Sequence, residues 1–182
     1  MVNHWPVELQ LAEESAIESK RSAATVQRIS VRGQATADGR EPVRILLVED
    51  NPGDARLAVE VLRECNVPSE VSVVSDGVEA LAFLHQDGPY SRVDRPDLIL
   101  LDLNLPRKDG REVLAEVKAD SRLKRIPVVV LTTSDSETDV DTAYDLNANC
   151  YITKPAELQQ FVNAIESIQN FWSALVRLPD RP

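Results

Sequence analysis

Three carboxylates and one amine stand at the ends of short apolar runs. Glu49 and Asp50 close Ile45-Leu46-Leu47-Val48, Asp102 closes Leu98-Ile99-Leu100-Leu101, and Lys154 follows Tyr151-Ile152-Thr153. Thr132 closes a further run, Val128-Val129-Val130-Leu131. If these runs are parallel strands, the acids, the hydroxyl and the ammonium meet at one edge of one sheet. Crowded carboxylates repel, and a hard divalent cation removes that cost. Mg²⁺ takes oxygen ligands, usually one or two carboxylates with waters and phosphate. Asp50 and Asp102 are the natural direct ligands. Glu49 can act directly or through water, and the backbone carbonyl of Asn104 would complete the protein's share. Aspartate can also form an acyl phosphate. Asp102, with Asp50 and Lys154 on flanking strands, is the best-placed nucleophile. The cation and Lys154 would neutralise charge on the equatorial phosphoryl oxygens, and Thr132 can donate to one of them. Neither His4 nor His85 has the context of a phosphodonor or a metal site, so the donor is expected to be another molecule.

The elements that must position these groups follow from periodicity. The first strand is Val43 to Val48. A helix follows, with Asn51 as N-cap, Pro52 at its first position, and Ala58, Val61, Leu62 and Cys65 at i, i+3, i+4, i+7. A second strand lies near Glu70 to Val74, and Asp76-Gly77 turns into a helix ending near His85. Leu98 to Leu101 lacks polar alternation, as does Val128 to Leu131. Such strands are buried on both faces, as in a parallel sheet covered by helices. Asp109-Gly110 opens a helix carrying Val113, Leu114 and Val117. Ser136 to Leu146 reads as a helix with weak apolar content, and Asn149 to Thr153 as the fifth strand. The last helix begins at Pro155 and aligns Leu158, Phe161, Val162, Ile165, Ile168 and Trp172. Five strands alternating with five helices make a doubly wound α/β domain, whose ligands sit beyond the carboxyl ends of the strands.

Composition narrows the function. The chain has 182 residues and a net charge of −10, which argues against a general nucleic-acid backbone binder. Residues 1–41 carry a net −1, so most of the acidity belongs to the α/β domain at 42–182. The first 41 residues read as an N-terminal arm, flexible or weakly helical, with Val7 to Ser19 as a loosely amphipathic stretch. Cys65 and Cys150 have no CxxC spacing and read as thiols in a reducing compartment. There is no apolar run of membrane-spanning length and no secretory signal pattern, so a cytoplasmic protein is expected.

At these residues the sequence resembles a response-regulator receiver domain, from Val43 to about Val176. The motifs are Val48-Glu49-Asp50-Asn51-Pro52, Leu100-Leu101-Asp102-Leu103-Asn104-Leu105-Pro106 with Asp109-Gly110, Leu131-Thr132-Thr133-Ser134, and Tyr151-Ile152-Thr153-Lys154-Pro155. Together they are specific; any one alone would be weak. The resemblance implies a five-stranded parallel sheet of order 2-1-3-4-5, the flavodoxin and receiver order. It implies Asp102 as phosphoacceptor, Glu49 and Asp50 as metal acids, Lys154 as the phosphoryl-binding lysine, and Thr132 and Tyr151 as switch residues. Phosphorylation would then re-shape the face of the fourth helix, fifth strand and last helix. The Lys154–Pro155 bond is often cis in this family.

Asp97 to Pro106 with Lys108 to Leu114, Asn149 to Pro155, and Phe171-Trp172 resemble the small regulators that partner phytochrome-type histidine kinases. That likeness implies a red-light signalling partner and a homodimer. The long arm departs from the compact pattern of that group. Only Arg177 to Pro182 follow the last helix, so output is expected through protein contact, self-association or phosphate relay.

The sequence leaves two other classes to test. A phosphohydrolase with an aspartyl-phosphate intermediate, similar to the haloacid-dehalogenase-like enzymes, needs a second acid two residues after the nucleophile; that position is Asn104. A receiver-shaped interaction module that is never phosphorylated does not need the complete set of acids, hydroxyl and lysine. The sequence therefore reads as a switch rather than an enzyme. A dimer is expected through the last helix, because Phe161, Ile165, Ile168 and Trp172 exceed what one face needs and Phe171 adds another apolar face.

Overall fold

The computed structural model describes residues 27–31, 41–64 and 68–179. The expected Val7 to Ser19 helix and Cys65 lie outside the described residues. The elements, in chain order, are β1 (Gln27–Val31), β2 (Val43–Val48), α1 (Pro52–Glu64), β3 (Ser69–Val74), α2 (Gly77–His85), β4 (Leu98–Leu101), α3 (Gly110–Ala119), β5 (Val128–Thr132), α4 (Glu137–Asp145), β6 (Cys150–Thr153) and α5 (Leu158–Asn170). A short 3₁₀ turn at Gly88–Tyr90 follows α2, and a π-helical turn at Phe171–Leu175 prolongs α5.

The sheet order is β1-β3-β2-β4-β5-β6. Its five parallel strands, counted among themselves, run 2-1-3-4-5, as the motifs implied. The sixth strand lies within residues 1–41, which read in sequence as a flexible or weakly helical arm. Gln27–Val31 pairs antiparallel with β3, from Gln27 opposite Val73 to Val31 opposite Ser69. Its period is too short to stand out in sequence, and the unpaired edge of β3 supplies the pairing that defines it.

The central strands alternate between two cores. Leu46, Val48, Ile99 and Leu101 pack with α2 and α3 on one face. Ile45, Leu47, Leu98 and Leu100 pack with α1 and α5 on the other. Each of these eight side chains is at most 2% exposed, which is why the strands read as unbroken apolar runs. The last helix starts later than Pro155 suggested, at Leu158 with Glu157 as its N-cap. Phe161, Ile165 and Ile168 are used up in the core, whereas Leu158 is exposed. No helix among the described residues is long and apolar enough to cross a membrane.

Candidate functional site

Register brings the acids level. Val48 pairs with Leu101, so the residues that follow them, Glu49 and Asp102, leave the sheet side by side. The ladder continues past the strands: Asp102 N–H donates to the Val48 carbonyl (3.0 Å) and Glu49 N–H to the Val74 carbonyl (3.0 Å). Lys154 N–H donates to the Thr132 carbonyl (2.6 Å), which ties the end of β6 to the end of β5. Among the described residues there is no cis peptide bond. The Lys154–Pro155 bond is therefore trans, unlike the cis form the resemblance suggested.

The helix starts hold the loops close. Asn51 caps α1 through its side-chain oxygen, which accepts from Gly53 N–H (2.8 Å) and Asp54 N–H (3.2 Å). Asp109 caps α3 in a reciprocal box with Glu112. A Cβ on Gly110 would lie 2.6 Å from the Leu103 Cα and closer still to the Asp102 carbonyl oxygen. Only glycine lets α3 begin this near the strand end that carries Asp102.

One ammonium gathers the acids. Lys154 Nζ donates to Asp102 Oδ2 (2.7 Å), Glu49 Oε2 (2.5 Å) and Asp54 Oδ2 (3.1 Å). Glu49, Asp102 and Lys154 are buried, Asp50 is exposed, and Asp54 is about one-third exposed. Burial pushes the Glu49 carboxyl up, and Lys154 only partly offsets this. Burial works against the Lys154 charge, yet the bonds to Asp102 and Glu49 outweigh it and hold the amine above its ordinary range. Glu49, Asp50 and Asp102 each offer one oxygen, all within 4.8 Å of one another. That all-oxygen, mostly anionic donor set fits a hard divalent cation.

Thr132 is fully buried. Its hydroxyl oxygen accepts from Asn104 Nδ2 (3.3 Å) and from Ser134 N–H (3.5 Å). Asn104 N–H donates to Asp102 Oδ1 (2.9 Å), which orients the carboxylate. Tyr151 is half-buried and donates its hydroxyl hydrogen to the Ser134 carbonyl (2.9 Å). Ser134 Oγ in turn donates to Asp139 Oδ2 (2.5 Å), and Arg111 clasps Asp139 from α3 (2.6 Å). Thr132 and Tyr151 thus meet on one short loop that α3 and α4 hold from the far side.

The fold and this cluster define a class. The chain matches the response regulator receiver domain family over residues 45–166 and belongs to it. It is 51% identical to the response regulator Rcp1 of Synechocystis sp. over 142 residues, 78% of this chain and 97% of that protein. The phosphorylated cyanobacterial phytochrome response regulator RcpA shares its fold with a TM-score of 0.75 and 56% identity, over 77% of this chain and all of that one. The Mn²⁺-bound form of Rcp1 gives a TM-score of 0.74 and 52% identity, over 76% of this chain and all of that one.

The structure gathers Glu49, Asp50, Asp102, Lys154, Thr132 and Asn104 at one end of the sheet, with Tyr151 one loop away. Sequence reasoning missed Asp54 and the Arg111–Asp139–Ser134 chain. Asp54 reads in sequence as an ordinary acid in the first turn of a helix, where it favours the dipole. Its contact spans 100 residues and no local pattern carries it.

Proposed function

We propose that this chain is a phosphorylatable switch of a two-component phosphorelay. Asp102 accepts a phosphoryl group from a partner sensor histidine kinase, one of the phytochrome type, as the names of its relatives suggest. The observation that carries this reading is the pair of buried carboxylates, Glu49 and Asp102, bridged by the buried ammonium of Lys154. Water-poor surroundings strengthen each charge interaction and make such a set costly to bury, and charge clusters of this kind concentrate at functional sites.

Glu49, Asp50, Asp102 and the Asn104 carbonyl would hold Mg²⁺, which when bound supplies positive charge against the phosphoryl oxygens. Lys154, already on Asp102, would pass one donor to the arriving group. Thr132 would turn its hydroxyl from the Asn104 side toward a phosphoryl oxygen. That movement would drag the Ser134 carbonyl from Tyr151 and free the ring to turn inward, re-shaping the α4–β6–α5 face. Output is then contact with a partner protein or a homodimer formed through the last-helix region, in the cytoplasm and without nucleic acid. A turnover enzyme is disfavoured, because the position two residues past Asp102 is the amide Asn104, bonded to Thr132 and Thr133.

The test is intact-mass measurement with Mg²⁺ and a small phosphodonor such as acetyl phosphate. One phosphoryl adduct on the wild type and none on Asp102→Asn is the expected result. Equal labelling of the mutant would remove Asp102 from the role.

A further inference from the structure

Lys154 has three N–H donors, and three carboxylates take them. Two of these, Glu49 and Asp102, also belong to the oxygen set that suits a divalent cation. Asp54 does not. It stands on the α1 side, and its position is fixed from its own backbone by the Asn51 cap (3.2 Å).

A cation drawn to Glu49 and Asp102 competes with the ammonium for their electrons and repels it. The lysine then needs an acceptor outside the metal set, or it leaves the site when it is required there. We propose that Asp54 is the positioning residue that keeps Lys154 against the phosphoacceptor while the cation occupies Glu49, Asp50 and Asp102. This rests on the receiver reading of the site and adds to it a fourth acid with a separate duty. Asp54 touches neither the reacting atoms nor the candidate metal set; it acts through Lys154.

Two simpler roles make different predictions. As a helix-dipole acid, Asp54 would affect folding and leave ligand binding alone. As a bare negative charge, it would help the cation and hinder the anionic phosphoryl group, so its removal would weaken one and tighten the other. As an anchor it helps both. Without it, Lys154 pairs more closely with Glu49 and Asp102 against the cation, and is displaced when the cation binds.

The experiment compares the full-length wild type with Asp54→Asn and Asp54→Glu. Calorimetry gives the affinity for Mg²⁺ alone, and then for beryllofluoride, a phosphoryl mimic, at saturating Mg²⁺. Denaturant midpoints show whether each variant is folded. For Asp54→Asn the expected result is a loss of roughly fivefold in both affinities, a partly exposed charge-assisted hydrogen bond being worth less than a buried one. Asp54→Glu is expected to recover at least part of the beryllofluoride affinity. Beryllofluoride binding that is unchanged or tighter in a folded Asp54→Asn protein would overturn the inference and leave the receiver reading intact. Failure of the wild type to bind the mimic would overturn that reading and this inference with it.

Discussion

An ammonium shared by buried carboxylates is stable only as a set. Removing one member of a buried charge group strands the others without water or partner. The amine of Lys154 is held above its ordinary range, so its contribution is complete below 10.5, the ordinary value, and is lost only as pH rises through the higher folded-state value. Glu49 is shifted in the same direction, in the acid range. Burial raises it above the ordinary 4.5, so the folded state holds that proton more tightly, and its contribution falls as pH rises through the raised value. Lys154→Met should therefore cost about 3 kcal/mol near neutral pH and less under mildly acidic conditions, where the raised Glu49 carboxyl takes up its proton. Urea denaturation under the two conditions checks this. An equal loss at both would mean that the lysine contributes packing rather than charge.

Elements matter here chiefly through where they begin. The start of α3 presses its first glycine on the carbonyl of Asp102, and the Gly110 N–H donates to the Leu103 carbonyl (2.9 Å). Gly110→Ala must push the helix or the strand end away. Overpacking of this kind costs about 2 kcal/mol, and here it should also misplace the carboxylate. The expected outcome is a lower denaturant midpoint together with slower acetyl-phosphate labelling. A midpoint drop with normal labelling would show that the loop absorbs the strain without moving Asp102. At the other end of α3, Lys118 donates to the Ile126 carbonyl (2.9 Å) and to Asn149 Oδ1 (2.9 Å), so this helix is tied at both ends to the strands it serves.

At the scale of the whole molecule, the two ends of the sheet carry different charged groups. The acids gather at the carboxyl ends of the strands. At the opposite ends a cavity of about 520 Å³ is lined by Arg44, Arg95, Arg122 and Arg125. Acids stand there too: Asp97 lines the same cavity and pairs with Arg44, and Asp120 pairs with Arg122. The expected dimer surface also changes at this scale. Since Phe161, Ile165 and Ile168 serve the core, the apolar area left for a second copy includes Phe171 at 50% exposure and Leu175 at 78%. Phe171 packs edge-on to Trp172, with ring centroids 5.3 Å apart, and so presents a rigid knob. Phe171→Glu should lower the solution mass of a dimer toward that of a monomer by light scattering, and an unchanged mass would exclude this surface.

Much of the fold is legible in the sequence. The parallel strands announced themselves as Ile45 to Val48, Leu98 to Leu101 and Val128 to Leu131, because burial on both faces leaves no polar alternation. The acids at their ends followed from chain direction alone, since in a doubly wound sheet those ends share one side. Asn51-Pro52 and Asp109-Gly110 marked helix starts because capping is a local matter of a few residues. Other features were not legible because they are long-range. Gln27–Val31 is a strand only because the edge of β3 is there to pair with it. Asp54 looks like any first-turn acid until folding carries Lys154 to it across 100 residues. The last helix shows one apolar stripe in sequence, and only packing against β2, β4 and β5 separates the part that builds the core from the part left facing outward. Local patterns encode elements and their ends; which side chains become partners depends on surfaces that exist only once those elements have packed.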